Sequence, residues 1–259
     1  MPGHKATIQW KCTGPDFLKG RYSREHTWTF DGGVVVPACP DGAQCDELYS
    51  FVFCREIQNK LHLPEIGEQY TFLGVDRRSK LILSHFVGKR DEVSTDAFMA
   101  DLRKRVKGWP QITTDGFPCY RSAIENSFGD NVHFAQQVKQ FADGTLIPKI
   151  RRRMLRSMPR EKRCVGVKTF VRTGNPDRAL ITTSHVERTN LSVRLFNRRY
   201  TRLTMGFSKT LENHRHALAL FIFHFNFCRI HSAHNQTPAM AAGIENHQWT
   251  IEDFLTATI

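Results

Sequence analysis

The stretch that decides the fold is Cys45-Asp46-Glu47-Leu48-Tyr49-Ser50-Phe51-Val52. Its aromatic and branched side chains are typical of a strand that is buried on both faces of a sheet. An aspartate in such a strand loses its hydration, and an unpaired buried carboxylate is costly, so a bound cation is its usual partner. The stretch therefore predicts a central strand that carries Asp46 into a metal site.

Two further carboxylates follow at similar distances along the chain. Gln111 to Thr114 is a predicted strand that delivers Asp115 to a turn, although Asp-Gly is a common turn dipeptide in purely structural roles. Glu187 lies in the first turn of a helix predicted to begin near Ser184. Because Ser184-x-x-Glu187 also matches a capping box, a structural role for this glutamate stays open.

The three carboxylates suit metal-dependent chemistry on a phosphate backbone. Mg²⁺ takes oxygen ligands, and two-metal phosphoryl transfer needs several carboxylates at one point. Asp76 is a rival to Asp46, but its Asp-Arg-Arg-Ser setting predicts an exposed hairpin turn. We therefore predict that Asp46, Asp115 and Glu187 are catalytic residues and ligands of Mg²⁺, for which Mn²⁺ would substitute.

The order of predicted elements indicates an α/β fold. Strands at about 44–53, 70–75 and 81–87 precede a helix capped by Ser94, a strand at 111–114, a helix at 119–128 and a strand at 132–135. This is the order of an RNase H-like fold, a mixed five-stranded sheet flanked by helices, in which the first and fourth strands are adjacent and parallel. That adjacency predicts that Asp46 and Asp115 are neighbours.

The basic residues are concentrated in one segment. The chain of 259 residues has a formal charge of +12, and residues 149–203 contain sixteen basic and three acidic side chains. Such a balance favours a nucleic-acid partner. Pro and Gly punctuate 136–183, which predicts a basic loop insertion, with one short helix at most, before the last catalytic helix. The predicted domains are a poorly defined segment at 1–43, a catalytic domain at 44–207 and a helical extension at 208–259.

Basic side chains in and after this insertion are predicted to contact DNA. Phosphate contacts give affinity and a steep salt dependence without base specificity. Asn190, one helical turn after Glu187, is either a companion of the site or an ordinary polar residue on a helix face. The predicted DNA-binding residues are Lys149, Arg151, Arg152, Arg153, Arg156, Arg188, Asn190, Arg194, Arg198 and Arg199.

Taken in order, these motifs resemble the catalytic domain of the DDE transposases of bacterial insertion sequences, most closely those of the insertion-sequence-one type. The resemblance runs from about Asp46 to Glu252. The segments that carry it are Asp46-Glu47-Leu48-Tyr49-Ser50-Phe51-Val52, Leu73 to Asp76, Val87 to Arg90, Thr114-Asp115-Gly116-x-x-x-Tyr120, Val186 to Leu191, Phe207-Ser208-Lys209, Phe225-Asn226-x-x-Arg229-x-His231 and Thr237-Pro238.

The resemblance implies a DNA transposase in which Asp46, Asp115 and Glu187 bind two Mg²⁺ ions. The same site would cleave the ends of the element and join a 3′-hydroxyl to target DNA. It further implies a homo-oligomer on double-stranded DNA, in the bacterial cytoplasm near the nucleoid. Two alternatives stay open, namely a nuclease or resolvase on the same fold that does not join strands, and an inactive DNA-binding remnant.

The cysteine pattern and the hydropathy agree with a cytoplasmic location. The seven cysteines lack CxxC spacing, no apolar secretory segment follows Met1, and the longest apolar run is too short to cross a bilayer. The departure from the family lies at 1–44, where no helix-turn-helix or zinc-binding segment is clear. Three explanations of that departure stay open: a truncated chain, one half of a two-frame product, or a degraded copy. Under each of them, no segment is assigned to the recognition of the element's ends.

Overall fold

The computed structural model describes residues 6–10, 26–30, 42–143, 162–202 and 204–257. The strands are Ala6–Trp10 (β1), His26–Phe30 (β2), Ala43–Val52 (β3), Gly67–Asp76 (β4), Ile82–Gly88 (β5), Gln111–Thr114 (β6), His133–Asp143 (β7) and Lys162–Thr173 (β8). The helices are Glu92–Arg105 (α1), Cys119–Phe128 (α2), Ser184–Phe196 (α3), Leu211–Phe223 (α4), Pro238–Ala241 (α5) and Ile251–Ala257 (α6). A π-helical turn, His224–Cys228, continues α4.

Six of these strands form one mixed sheet in the order β5-β4-β3-β6-β7-β8, and helices cover both of its faces. The α/β class is therefore confirmed, but the predicted count of five strands is wrong. As the sequence predicts, β3 and β6 are adjacent and parallel, with Cys45 opposite Thr114. Strands β1 and β2 form a separate antiparallel pair.

The sheet separates two apolar cores because side chains alternate along its strands. On one face, Phe72 and Ile112 pack with residues of α1 and α2 such as Phe98 and Tyr120. On the other face, Leu48 and Leu73 pack with residues of α3 and α4. The predicted extension at 208–259 thus contributes Leu218, Phe221 and Phe225 to a core that it shares with the sheet.

The predicted basic loop is the largest error in the fold. Residues 136–143 belong to β7 and residues 162–173 to β8, and the two strands pair antiparallel from Phe134 to Asp143. This hairpin supplies the sixth strand. Many side chains of β8 are exposed, so the strand lacks the apolar alternation that marks a half-buried strand.

Helix starts and one turn also differ from prediction. Helix α1 is capped by Asp91, whose carboxylate accepts from the amide of Ser94, because the chain turns helical three residues earlier than expected. Helix α4 begins after Thr210 rather than at Ser208. Asp76 is 3% exposed and not in an exposed turn, since it ends β4 and accepts from the amide and the hydroxyl of Ser79.

Candidate metal centre

The candidate site lies where β6 ends and β3 continues. Pairing between the two strands stops at Cys45 and Thr114, so Asp46 is the next residue of β3 and Asp115 is the first residue after β6. Glu47 follows on β3. Asp46, Glu47 and Asp115 each bring one carboxylate oxygen within 4.8 Å of the others, although neighbouring residues of a strand normally point to opposite faces. The parallel strands thus assemble three carboxylates at one point.

Asp46 faces α3, where Asn190 holds it. The Asn190 Nδ2 donates to Asp46 Oδ2 at 2.9 Å, and the backbone amide of Glu47 donates to Oδ1 at 2.9 Å. Burial and the negative charge of Asp115 raise the pKa of Asp46 to about 7. Two hydrogen bonds therefore do not offset the cost of a buried charge among other carboxylates.

Asp115 is held by the turn that follows it. Its Oδ1 accepts from the backbone amide of Phe117 at 3.0 Å, and Gln136 of β7 donates to its carbonyl at 3.1 Å. Burial raises the pKa of Asp115, and the hydrogen bond from the Phe117 amide and the positive charges of Arg90 and Lys139 oppose this effect. The turn fixes the carboxylate beside β3 without neutralising it.

Glu47 is the member of the group that sequence reasoning missed. Its side chain is 2% exposed, and its Oε1 accepts from Arg90 Nε at 2.7 Å. Burial and the charge of Asp115 raise the pKa of Glu47, whereas Arg90 lowers it. The only sequence signal for Glu47 is its position beside Asp46, and neighbouring residues of a strand normally point to opposite faces.

Glu187 does not belong to the group of three. It is half-exposed on α3, and Lys139 of β7 donates to its Oε2 at 2.7 Å while Thr183 donates to its Oε1 at 2.6 Å. Its charge is nonetheless near enough to raise the pKa values of Asp46 and Asp115. Thr183, and not Ser184, occupies the N-cap position of α3, and its side chain makes no capping hydrogen bond, so the predicted capping box is wrong.

The predicted DNA-binding residues fall into two sets. Lys149, Arg151, Arg152, Arg153 and Arg156 lie outside the described residues. Arg188 and Arg198 are exposed, Arg199 is half-buried, and Asn190 is buried against Asp46. Arg194 is half-buried one turn after Asn190; burial lowers its pKa, and the charge of Asp46 opposes that shift, which indicates that the two side chains are neighbours.

The oxygen-rich donor set fits a hard divalent cation. Glu47 Oε2 and Asn190 Oδ1 are buried and have no hydrogen-bond partner in the part of the chain that the structure describes. Buried polar atoms normally have a partner, so unpaired oxygens beside three carboxylates indicate a missing positive group. Carboxylate and amide oxygens are the ligands that Mg²⁺ and related ions prefer.

Comparisons with known proteins give no match: no protein-family model fits the chain, and no curated protein is significantly similar to it. Within the described ranges, no helix has both the length and the apolar character needed to cross a membrane.

Proposed function

We propose that the chain is a DNA transposase of the DDE class, built on an RNase H-like domain, that cleaves and joins DNA strands with Mg²⁺. The observation that carries the proposal is the convergence of Asp46 and Glu47, in the middle of β3, with Asp115, which directly follows the end of the adjacent parallel strand β6. The order of three antiparallel strands, helix, strand, helix and strand supports the RNase H-like assignment. The sixth strand is then an addition at the edge of that sheet.

Asp46 and Asp115 would hold the metal, with Glu187 as the third carboxylate of the DDE set. Bound there, divalent ions would activate a water or a 3′-hydroxyl and stabilise the leaving oxygen. Asn190 orients Asp46 through its amide, and Lys139 neutralises Glu187 at the edge of the site. The surrounding side chains therefore set the position and the charge of the carboxylates.

The partner proposed is double-stranded DNA. Arg188, Arg194 and Arg198 lie on or just after α3, the helix that also carries Asn190 and Glu187. Basic side chains on this helix would contact backbone phosphates close to the carboxylates. The net charge of +12 supports the same partner.

The test is the joining of a labelled DNA end with a free 3′-hydroxyl to a supercoiled plasmid in Mg²⁺ or Mn²⁺. Asp46→Asn and Asp115→Asn keep the side-chain size but remove one ligand charge each. We expect the joined product to fall by at least about 10³-fold in both variants, since metal-derived stabilisation of the transition state is worth several kcal/mol. Asp130→Asn, which changes an exposed aspartate after α2, is the matched control and keeps full activity.

Three outcomes would contradict the proposal. Metal-dependent nicking without joining by the unchanged chain would indicate a nuclease or resolvase. Salt-sensitive DNA binding without either reaction, equal in the unchanged chain and in Asp115→Asn, would indicate a DNA-binding remnant. If Asp46→Asn and Asp115→Asn both still join DNA ends, these two aspartates are not the catalytic residues.

A further inference from the structure

Glu47 and Arg90 form an ion pair at the edge of the carboxylate group. Arg90 Nε and Nη2 both approach Glu47 Oε1, at 2.7 and 2.5 Å. The second oxygen, Oε2, is buried and has no partner within hydrogen-bond distance among the described residues; the Tyr120 hydroxyl, itself buried and unpaired, is near enough to lower the pKa of Glu47. The arginine therefore uses only one of the two oxygens, and the glutamate retains an oxygen that a cation can take.

Arg90 itself lies on the solvent side of the site. Its side chain is 41% exposed, whereas that of Glu47 is 2% exposed. The guanidinium carbon is 4.2 Å from the centre of the Phe117 ring, and Phe117 belongs to the turn that holds Asp115. A cation stacked on an aromatic face keeps its N–H groups free to point outward in the plane of the guanidinium.

Asn190 gives an independent indication of a ligand here. It is 5% exposed and not acidic, and its Oδ1 has no partner in the described part of the chain although its Nδ2 is bound to Asp46. Unpaired buried oxygens thus border the carboxylate group on the α3 side as well as at Glu47. A cation would satisfy oxygens of this kind, whereas further hydrogen-bond acceptors would not.

We propose that Glu47 is a direct ligand of the cation and that Arg90, its partner in the cation-free site, binds a phosphate of the DNA. The proposal rests on the proposed function and adds two residues to it. A cation that shares the charge of Glu47 weakens the pair with Arg90. A phosphate offers the guanidinium two oxygens in the bidentate geometry that arginine favours. Arg90 thus exchanges its ion pair with Glu47 for an ion pair with a DNA phosphate.

The first test is calorimetric titration of MnCl₂ into the full chain without DNA. Glu47→Gln keeps the size and one acceptor oxygen for Arg90 but removes the charge. We expect Mn²⁺ affinity to fall on the order of tenfold or more, as for Asp46→Asn, because ligand charge sets cation affinity. Glu125→Gln, an exposed glutamate of α2, is the control and binds as the unchanged chain does.

The outcomes separate this inference from the proposed function. If Asp46→Asn loses Mn²⁺ affinity and Glu47→Gln does not, Glu47 is no ligand and the inference is overturned while the proposed function stands. The proposed function itself is contradicted if the unchanged chain binds no Mn²⁺, or if Asp46→Asn binds Mn²⁺ as tightly as the unchanged chain. Thermal unfolding in EDTA verifies that each variant is folded.

The second test uses Arg90→Gln with Arg105→Gln as a matched control, since Arg105 is also an ion-paired arginine on the α1 side of the molecule. We expect Arg90→Gln to keep or tighten Mn²⁺ binding, because a competitor for Glu47 is gone. Affinity for a short DNA duplex in Ca²⁺ should fall on the order of tenfold, the value of one charged phosphate contact. Arg90→Lys should restore part of it.

Loss of Mn²⁺ affinity in Arg90→Gln, equal to that in Glu47→Gln, would make Arg90 a support for the carboxylate and overturn its assignment to phosphate. An Arg90→Gln variant that binds DNA as tightly as the unchanged chain would overturn that assignment as well. Arg105→Gln should change neither affinity by more than about twofold, because an exposed ion pair contributes little.

Discussion

Strand β3 carries two buried polar centres that differ in whether their hydrogen bonds are complete. Four residues beyond Asp46, Ser50 donates to the carbonyl of Gln69 at 2.9 Å and lies 3.0 Å from His214 Nε2. The Ser208 hydroxyl lies 2.8 Å from His214 Nδ1. Both nitrogens of this fully buried histidine therefore have a partner, whereas at the carboxylate group Glu47 Oε2 and Asn190 Oδ1 have none among the described residues.

The contrast distinguishes a structural polar centre from the candidate metal centre. A complete network fixes one packing arrangement, and here it joins β3 to α4 and to the bridge at Ser208. An incomplete network costs stability until a ligand arrives, as is common at functional sites. Substitutions at the two centres should therefore change stability in opposite directions.

The largest effect is expected from His214→Ala. The substitution opens a cavity and leaves the Ser208 hydroxyl without its partner, so the free energy of unfolding should fall by about 3 kcal/mol. Urea denaturation in EDTA measures it. His224→Ala, at an exposed position of the π-helical turn, is the control. A change below about 1 kcal/mol at His214 would show that this network does not support the fold.

The pH dependence of stability should separate the two centres next. Burial lowers the pKa of His214 from 6.5 to about 4, so its contribution is present above pH 6.5 and is lost as the pH falls toward 4, by about 3 kcal/mol. The raised pKa of Asp46 has the opposite sign in the cation-free chain. Stability from that group is fully present below its usual pKa of 3.8 and is lost as the pH rises through about 7.

Urea denaturation in EDTA at pH 4.5 to 8 measures how the free energy of unfolding changes with pH for both groups. The deficit of His214→Gln relative to the unchanged chain should shrink as the pH falls, because the variant has no proton to take up. A deficit that stays constant with pH would contradict the assignment to His214. Asp46→Asn should lose the rise in stability that the unchanged chain gains from this group in acid.

A gain of stability is expected from Asp46→Asn itself. At pH 8 in EDTA, removal of a repelled buried charge should raise the free energy of unfolding by about 2 kcal/mol. A rotation of the Asn190 amide would let its unpaired Oδ1 accept from the new side chain. In saturating Mn²⁺ the unchanged chain should instead be the more stable of the two, since only it gains stability from tight binding of the ion. A variant less stable than the unchanged chain in EDTA would contradict the comparison.

The smallest effect concerns Tyr200, whose ring packs against the tilted ring of His214 with their centres 4.4 Å apart. Its hydroxyl lies 2.8 Å from the hydroxyl of Thr71. Tyr200→Phe removes that hydrogen bond and keeps the packing, so the cost should be about 1 kcal/mol. The double variant Tyr200→Phe, Thr71→Val should recover part of the loss, and failure to do so would indicate that the ring contact and not the hydroxyl pair is affected.

The parts of the fold that the sequence predicted are those with a strong local pattern. Two local patterns, the apolar run after Cys45 and the short strand before Asp115, predicted the two central strands. The order of the elements predicted that these strands are adjacent and parallel. The β7–β8 hairpin was missed because Val165, Val167 and Phe170 are exposed and its pairing is between distant residues. Pairing of that kind leaves little signal in either strand alone.

The site was predicted less completely than the fold. The adjacency of Asp46 and Asp115 followed from topology, whereas Glu47 was not among the predicted ligands; it joins them although strand neighbours normally face opposite sides, because β6 ends at Thr114. Asp76 is buried although its neighbours are charged, because the turn folds back on its carboxylate. Glu187 is held by Lys139 of a strand that the sequence did not predict.

The two neighbouring carboxylates on β3 belong to opposite layers of the molecule. Asp46 is tied to α3 through Asn190, and Glu47 is tied to Arg90, which directly precedes Asp91, the cap of α1. An ion bound by both carboxylates would connect the two helical layers mechanically through one strand. Opening of either layer would then require release of the ion. Amide hydrogens of α1 and α3 should therefore exchange more slowly, and by the same factor, once the site is filled.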